Sequence, residues 1–292
     1  MNENINIQAV PSFCLNHIQL DVLRLDELHP IVSGNKWFKL KYYLRQAQEQ
    51  NADSIASFGG PYSNHLVALA YAAKEYNLKS IGYVRSNIDE PITPTLQEAM
   101  QYGMDLKFVG RNNFQEFKKE LIQNNQANHP YLVDEGGYGT LGAQGAATIL
   151  SNEKTNCYSH ILCAVGTGTM MAGLISAAKA PQHIIGIPVL KNEATIRDEI
   201  NQLIPTNKNQ YTLLHDFHLG GYAKTNQAQF DFMNLLWQKE KIPTDMVYTS
   251  KLFLAVKSLM DTNYFSLASK ILIIHSGGLQ GNRSLPAGTL LF

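Results

Sequence analysis

An α/β fold with a largely parallel sheet is what the sequence predicts, and three observations carry that expectation. Short apolar runs alternate with segments of helical period along most of the 292 residues, as strand–helix–strand crossovers require. Hydrophobic residues make up 45% of the chain and charged residues 16%, a globular profile with ample material for buried cores. Neither repeats nor low-complexity tracts interrupt the alternation.

The expected strands are, in order, "SIASF" (54–58), "SIGYVR" (80–85), "DLKFV" (105–109), "YLVD" (131–134), "HILCAV" (160–165), "HIIGIPV" (183–189) and "KILIIH" (270–275). Helices are expected after most of them, among them "LVALAYAAKEY" (66–76), "TLQEAMQYG" (95–103) and "GAQGAATIL" (142–150). The first four strands would form a smaller α/β unit over residues 48–150. Residues 1–47 and 151–292 would form a larger unit built from both ends of the chain. No Pro/Ser-rich linker marks the boundary.

Composition also narrows function. A net charge of zero gives no electrostatic case for nucleic acid or an anionic membrane as partner. No apolar run approaches membrane-spanning length, and the first residues lack a basic segment followed by an apolar core, so no secretory signal is expected. Cys14, Cys157 and Cys163 show neither CxxC nor His-paired metal spacing. They read as reduced thiols of a cytosolic protein without a metal site.

The stretch "VSGNKWFKLKYYL" (32–44) has apolar residues at 37, 40 and 44, a helical period beginning near Trp37. Ser33, Gly34 and Asn35 suit a helix start, so Lys36 and Lys39 fall in the first turn on one face. The positive end of the helix dipole disfavours cations there. A bound anion would reverse that sign, and so would a need for an easily deprotonated lysine. Two solvated surface lysines are the plainer alternative.

Three strand–helix junctions have unusual loops, and open α/β sheets bind ligands at such junctions. In "SIASFGGPYSNHLVALAYAAK" (54–74), Gly59-Gly60 turns the chain and Ser63, Asn64 and His65 stand at a helix start. They would form a carboxylate cradle or an ordinary cap. In "HILCAVGTGTMMAGL" (160–174), Gly166, Thr167, Gly168 and Thr169 offer close backbone approach and two hydroxyls. The loop is neither GxGxxG nor a P-loop, and it suits a single phosphate monoester better than a nucleotide. In "KILIIHSGGLQGN" (270–282), Ser276 follows a strand and precedes Gly277-Gly278. Each loop alone has a structural explanation. Together they call for a phosphate-bearing ligand that needs a lysine, a hydroxyl partner and a carboxylate site, and pyridoxal phosphate with an amino-acid substrate meets all four.

The ordered motifs "SGNKWFKLKY", "FGGPYSNH", "DEGGYGTLGAQG", "AVGTGTMMAG", "GGYAKTN", "MVYTSK" and "IHSGGLQGN" resemble the tryptophan-synthase-β-like, fold type II, pyridoxal-phosphate enzymes. Within these the chain is similar to the 1-aminocyclopropane-1-carboxylate deaminase/D-cysteine desulfhydrase group. The resemblance implies two open twisted α/β domains, a homodimer, and pyridoxal phosphate attached covalently to Lys36. It gives Lys39 and Gly166–Thr169 to the phosphate, Asn64 to the pyridoxal 3′-oxygen, and Ser63, Asn64 and His65 to the substrate carboxylate. Ser63 is also implicated in proton transfer, and Tyr222 and Tyr248 match two tyrosines facing the substrate. Placement at a helix start beside other cations would lower the proton affinity of Lys36.

The chain departs from the group at Phe38, where arginine is common, and at Thr169-Met170, often Gly-Thr. It also departs at Val67, where arginine is frequent, and at Tyr138, where a small residue is common. Val67 and Tyr138 are expected to reshape the pocket. Deaminases of the group have glutamate and leucine at the positions of Thr249 and Ser276, whereas desulfhydrases have small hydroxyl residues. The resemblance therefore favours β-elimination from a D-amino acid, with Ser276 facing the pyridine nitrogen. Deamination of the cyclopropane substrate and a non-catalytic carrier or sensor of the cofactor are the alternatives.

Overall fold

The computed structural model describes residues 5–13, 18–87, 89–125, 130–191, 195–205 and 211–292. Among these, the strands are β1 (Ile7–Ala9), β2 (Gln19–Arg24), β3 (Ser54–Gly59), β4 (Lys79–Arg85), β5 (Met104–Val109), β6 (Tyr131–Val133), β7 (His160–Val165), β8 (His183–Pro188), β9 (Tyr211–Leu213) and β10 (Lys270–His275). The α-helices are α1 (Asn35–Glu49), α2 (Asn64–Glu75), α3 (Pro94–Gln101), α4 (Phe114–Asn124), α5 (Thr140–Ala147), α6 (Thr169–Ala177), α7 (Ile196–Asn201), α8 (Gln227–Glu240) and α9 (Thr249–Asp261).

Two sheets result. One has six strands in the order β1-β2-β10-β7-β8-β9, the other four in the order β5-β4-β3-β6. Every pairing is parallel except β1 with β2, which meets the α/β expectation. The six-stranded sheet buries both faces. One packs on α5 and α6 through Ala143, Ala146, Met171 and Leu174, the other on α8 and α9 through Met233, Leu236, Leu252 and Val256. Strands covered on both faces read as continuous apolar runs, and "HILCAV" and "KILIIH" are such runs.

Helix α1 spans both parts. Phe38 enters the core of the six-stranded sheet, while Leu40, Tyr43, Leu44 and Ala47 join the core over the four-stranded sheet. A Cβ on Gly145 of α5 would lie 2.1 Å from the Phe38 carbonyl oxygen, so α1 and α5 meet backbone to backbone.

Strand β2 lies outside the expected set because Asp21 and Arg24 break its apolar run. Both are buried and paired: Asp21 accepts from the Tyr158 hydroxyl at 2.6 Å, and Arg24 bonds Asp26 at 2.7 Å. Cys157 and Cys163 are free thiols, one exposed and one buried, and Cys14 lies outside the described residues. No helix among the described residues is long and apolar enough to cross a membrane.

Candidate active site

The carboxyl ends of β7 and β10 open onto a cleft into which α1, α2, α6 and α9 begin. Lys36, Lys39, Asn64, Gly166, Thr167, Gly168, Thr169, Tyr248 and Ser276 all line it.

Helix α1 starts after Gly34, whose φ is 69°. A Cβ there would lie 1.8 Å from the Ser276 carbonyl oxygen, and that oxygen accepts from Asn35 N at 3.0 Å. This approach sets the start of α1 against the end of β10. Lys36 Nζ donates to Asn35 Oδ1 at 2.9 Å, and Lys39 Nζ donates to the Gly136 carbonyl at 2.8 Å. Burial pulls Lys36 down to about 8, with Asp245 opposing. Burial also holds Lys39 well below its usual range, with Lys36 adding to the effect. The leading cause for Lys36 is thus desolvation, not the neighbouring cations that the sequence suggested.

The loop after β7 turns through Gly168 in the left-handed region (φ 76°) and enters α6 at Thr169. The Thr167 and Thr169 hydroxyls lie 3.0 Å apart. Across the cleft, Asn64 Nδ2 donates to the Gly278 carbonyl at 2.8 Å, and its Oδ1 is buried without a partner. Two lysines bonded to neutral oxygens, a helix start and two hydroxyls suit a phosphate dianion. A lysine with a lowered pKa suits an aldehyde. The residues present therefore fit pyridoxal phosphate.

The opposite wall is built differently. Tyr248 lines the cleft, and its ring stands 6.2 Å from that of Tyr222 at 74°. Tyr222 is 53% exposed and is not among the lining residues. Burial, with Tyr222 and Asp245 adding to it, raises the Tyr248 phenol well above its usual range. Asp245 is buried and accepts from the backbone of Val247, Tyr248 and Thr249 at 2.8, 2.9 and 2.8 Å. Sequence reasoning misses Asp245, although an acid just before a helix is a recognisable start signal. It also misses Lys251, which is fully buried.

The other predicted positions lie as follows. The Thr249 hydroxyl donates to Asp245 Oδ1 at 2.8 Å and accepts from Asp245 N at 2.7 Å, so it serves the start of α9 and does not line the cleft. Val67 is in the core over the four-stranded sheet because it lies on the inner face of α2. The Tyr138 hydroxyl reaches the Glu199 carbonyl at 3.2 Å. Neither residue lines the cleft. Ser63 is the N-cap of α2, accepting from Leu66 N at 3.2 Å. The His65 ring is buried and lies 2.8 Å from the Ser57 hydroxyl, and burial lowers its pKa well below the usual value. Met170 lines the cleft. Among the described residues, no group of His, Cys, Asp and Glu could hold a metal ion.

The chain is similar to known proteins at three levels. The family profile described as pyridoxal-phosphate dependent enzyme matches residues 16–277. A Thermotoga maritima protein with the provisional name 1-aminocyclopropane-1-carboxylate deaminase is 26% identical over 281 residues, 89% of this chain and 88% of that one. The mitochondrial bifunctional D-cysteine desulfhydrase/1-aminocyclopropane-1-carboxylate deaminase of Arabidopsis thaliana is 25% identical over 307 residues, 94% of this chain and 75% of that one. A crystal structure described as an ACC deaminase homologue superposes with a TM-score of 0.82 at 23% identity, over 95% of this chain and 90% of its own, a likeness of fold.

Proposed function

Because the chain belongs to the pyridoxal-phosphate dependent enzyme family, we propose that it catalyses β-elimination on a small D-amino acid such as D-cysteine, giving a keto acid, ammonia and sulfide. The observation that carries this reading is Ser276, a neutral hydroxyl lining the cleft at the end of β10. A neutral partner leaves the ring nitrogen of the cofactor largely unprotonated, which suits a short-lived carbanion.

When bound, pyridoxal phosphate supplies an electron sink for the pair left at Cα after proton removal. Lys36 would hold the cofactor through Nζ and, as a free amine, would take the Cα proton there. Its pKa of about 8 keeps free amine present near neutrality. Lys39 and the Gly166–Thr169 loop would hold the phosphate, and Asn64 would orient the ring. The start of α2 receives the substrate carboxylate through Ser63, Asn64 and His65, with the His65 contribution coming from its backbone, since its ring is buried. Tyr248 holds its phenolic proton beside the departing group, with Tyr222 against it. As the Cβ–S bond breaks, the thiolate leaves with the bonding pair, and the released aminoacrylate takes up water to give keto acid and ammonia.

The second reading is deamination of 1-aminocyclopropane-1-carboxylate. The Thr249 hydroxyl is engaged inside the start of α9, so support for elimination rests on Ser276 alone. The homodimer rests on the resemblance, and a reducing cytoplasmic setting is supported by the free thiols Cys157 and Cys163. Parallel steady-state kinetics on D-cysteine, L-cysteine and the cyclopropane substrate test the proposal. It expects keto acid release to be fastest from D-cysteine, and faster ring opening would transfer the assignment to deamination.

A further inference from the structure

Lys251 has no part in the proposed chemistry, yet it is among the largest fully buried side chains of the molecule. Filling a core with a lysine is unfavourable unless its ammonium is paired. Its Nζ donates to the His218 carbonyl at 2.9 Å and to the Gly221 carbonyl at 2.7 Å. Those carbonyls belong to a contorted turn over residues 218–223: Leu219, Gly220, Gly221 and Ala223 have φ of 52°, 93°, 124° and 54°. Left-handed residues at such density persist only where the surroundings over-determine them. Tyr222 sits inside this turn, one residue past the Gly221 carbonyl that the ammonium holds.

The same helix start carries Tyr248, fixed by Asp245. The first turn of α9 therefore holds both rings of the pair, one directly and one through Lys251. We propose that Lys251 is a positioning residue, whose buried ammonium ties the 218–221 turn to α9 and so sets Tyr222 against Tyr248. The proposal rests on the reading that the two tyrosines serve the reacting substrate.

A double-mutant comparison in the holoenzyme tests it, using Lys251→Met, Tyr222→Phe and the double variant. Lys251→Met should retain the visible absorbance of the bound cofactor, speed amide hydrogen exchange in the 215–224 segment, and lower kcat/KM by about tenfold or more, as the loss of a coupled positioning contact does. In the Tyr222→Phe background it should cost less than about twofold further. Equal losses in both backgrounds, or unchanged exchange in that segment, would overturn the proposal. Tyr222→Phe with unchanged turnover would overturn the tyrosine reading itself, a distinguishable failure. If Lys251→Met does not fold, Lys251→Gln, which keeps an amide donor, carries the same comparison.

Discussion

The two walls of the cleft are held by different means. On the lysine wall the parts are joined through the backbone: α1 begins against the end of β10, and the Gly166–Thr169 loop turns into α6. On the tyrosine wall two buried side chains of opposite charge, Asp245 and Lys251, secure Tyr248 and the turn carrying Tyr222. The first arrangement is fixed by close backbone approach. The second depends on single side chains, so one substitution can disturb it while the cofactor pocket stays intact.

The largest expected effect is on the lysine wall. Gly34→Ala puts a Cβ 1.8 Å from the Ser276 carbonyl oxygen at a φ of 69°, and should destabilise the protein by about 3 kcal/mol. Denaturant unfolding measures it. Unchanged stability would show that the two backbones can separate freely and that this wall is not rigid.

Thr167→Val combined with Thr169→Val should act more narrowly. The two hydroxyls face each other at 3.0 Å, and replacing both partners leaves little unsatisfied in the protein alone. Cofactor affinity should fall by about 2 kcal/mol, roughly thirtyfold, with little change in the melting of the cofactor-free protein. Unchanged affinity would return the loop to a purely structural role.

A smaller, graded effect concerns pH. With Lys36 at about 8, the free amine increases as pH rises and approaches its limit above that value. The rate of cofactor loading into the cofactor-free protein should climb about tenfold per pH unit below about 8 and level off above it. A rise continuing past about pH 10 would mean that Lys36 keeps an ordinary pKa, and that burial does not govern this wall.

The same contrast explains what the sequence made legible. Strands buried on both faces, such as β7 and β10, stand out as apolar runs, whereas β2 hides because Asp21 and Arg24 find partners only in the folded chain. Lys36, Lys39, Asn64, Thr167, Thr169 and Ser276 lie in compact motifs at helix starts and strand ends, and all line the cleft. Val67, Tyr138 and Thr249 lie in or beside the same motifs, but their side chains point elsewhere, and spacing alone does not fix that direction. Asp245 is legible only as an acid before a helix, and its burial is not. Lys251 is hidden for another reason: a lysine in a helical segment reads as a solvated one until its burial is known, and the carbonyls that Lys251 holds are 33 and 30 residues away in sequence.

The most direct test of the account is to locate the cofactor attachment. Borohydride reduction of the holoenzyme, followed by peptide mapping and mass spectrometry, should find one reduced pyridoxal-phosphate adduct, on Lys36. An adduct on Lys39 or Lys251, or none on Lys36, would contradict it.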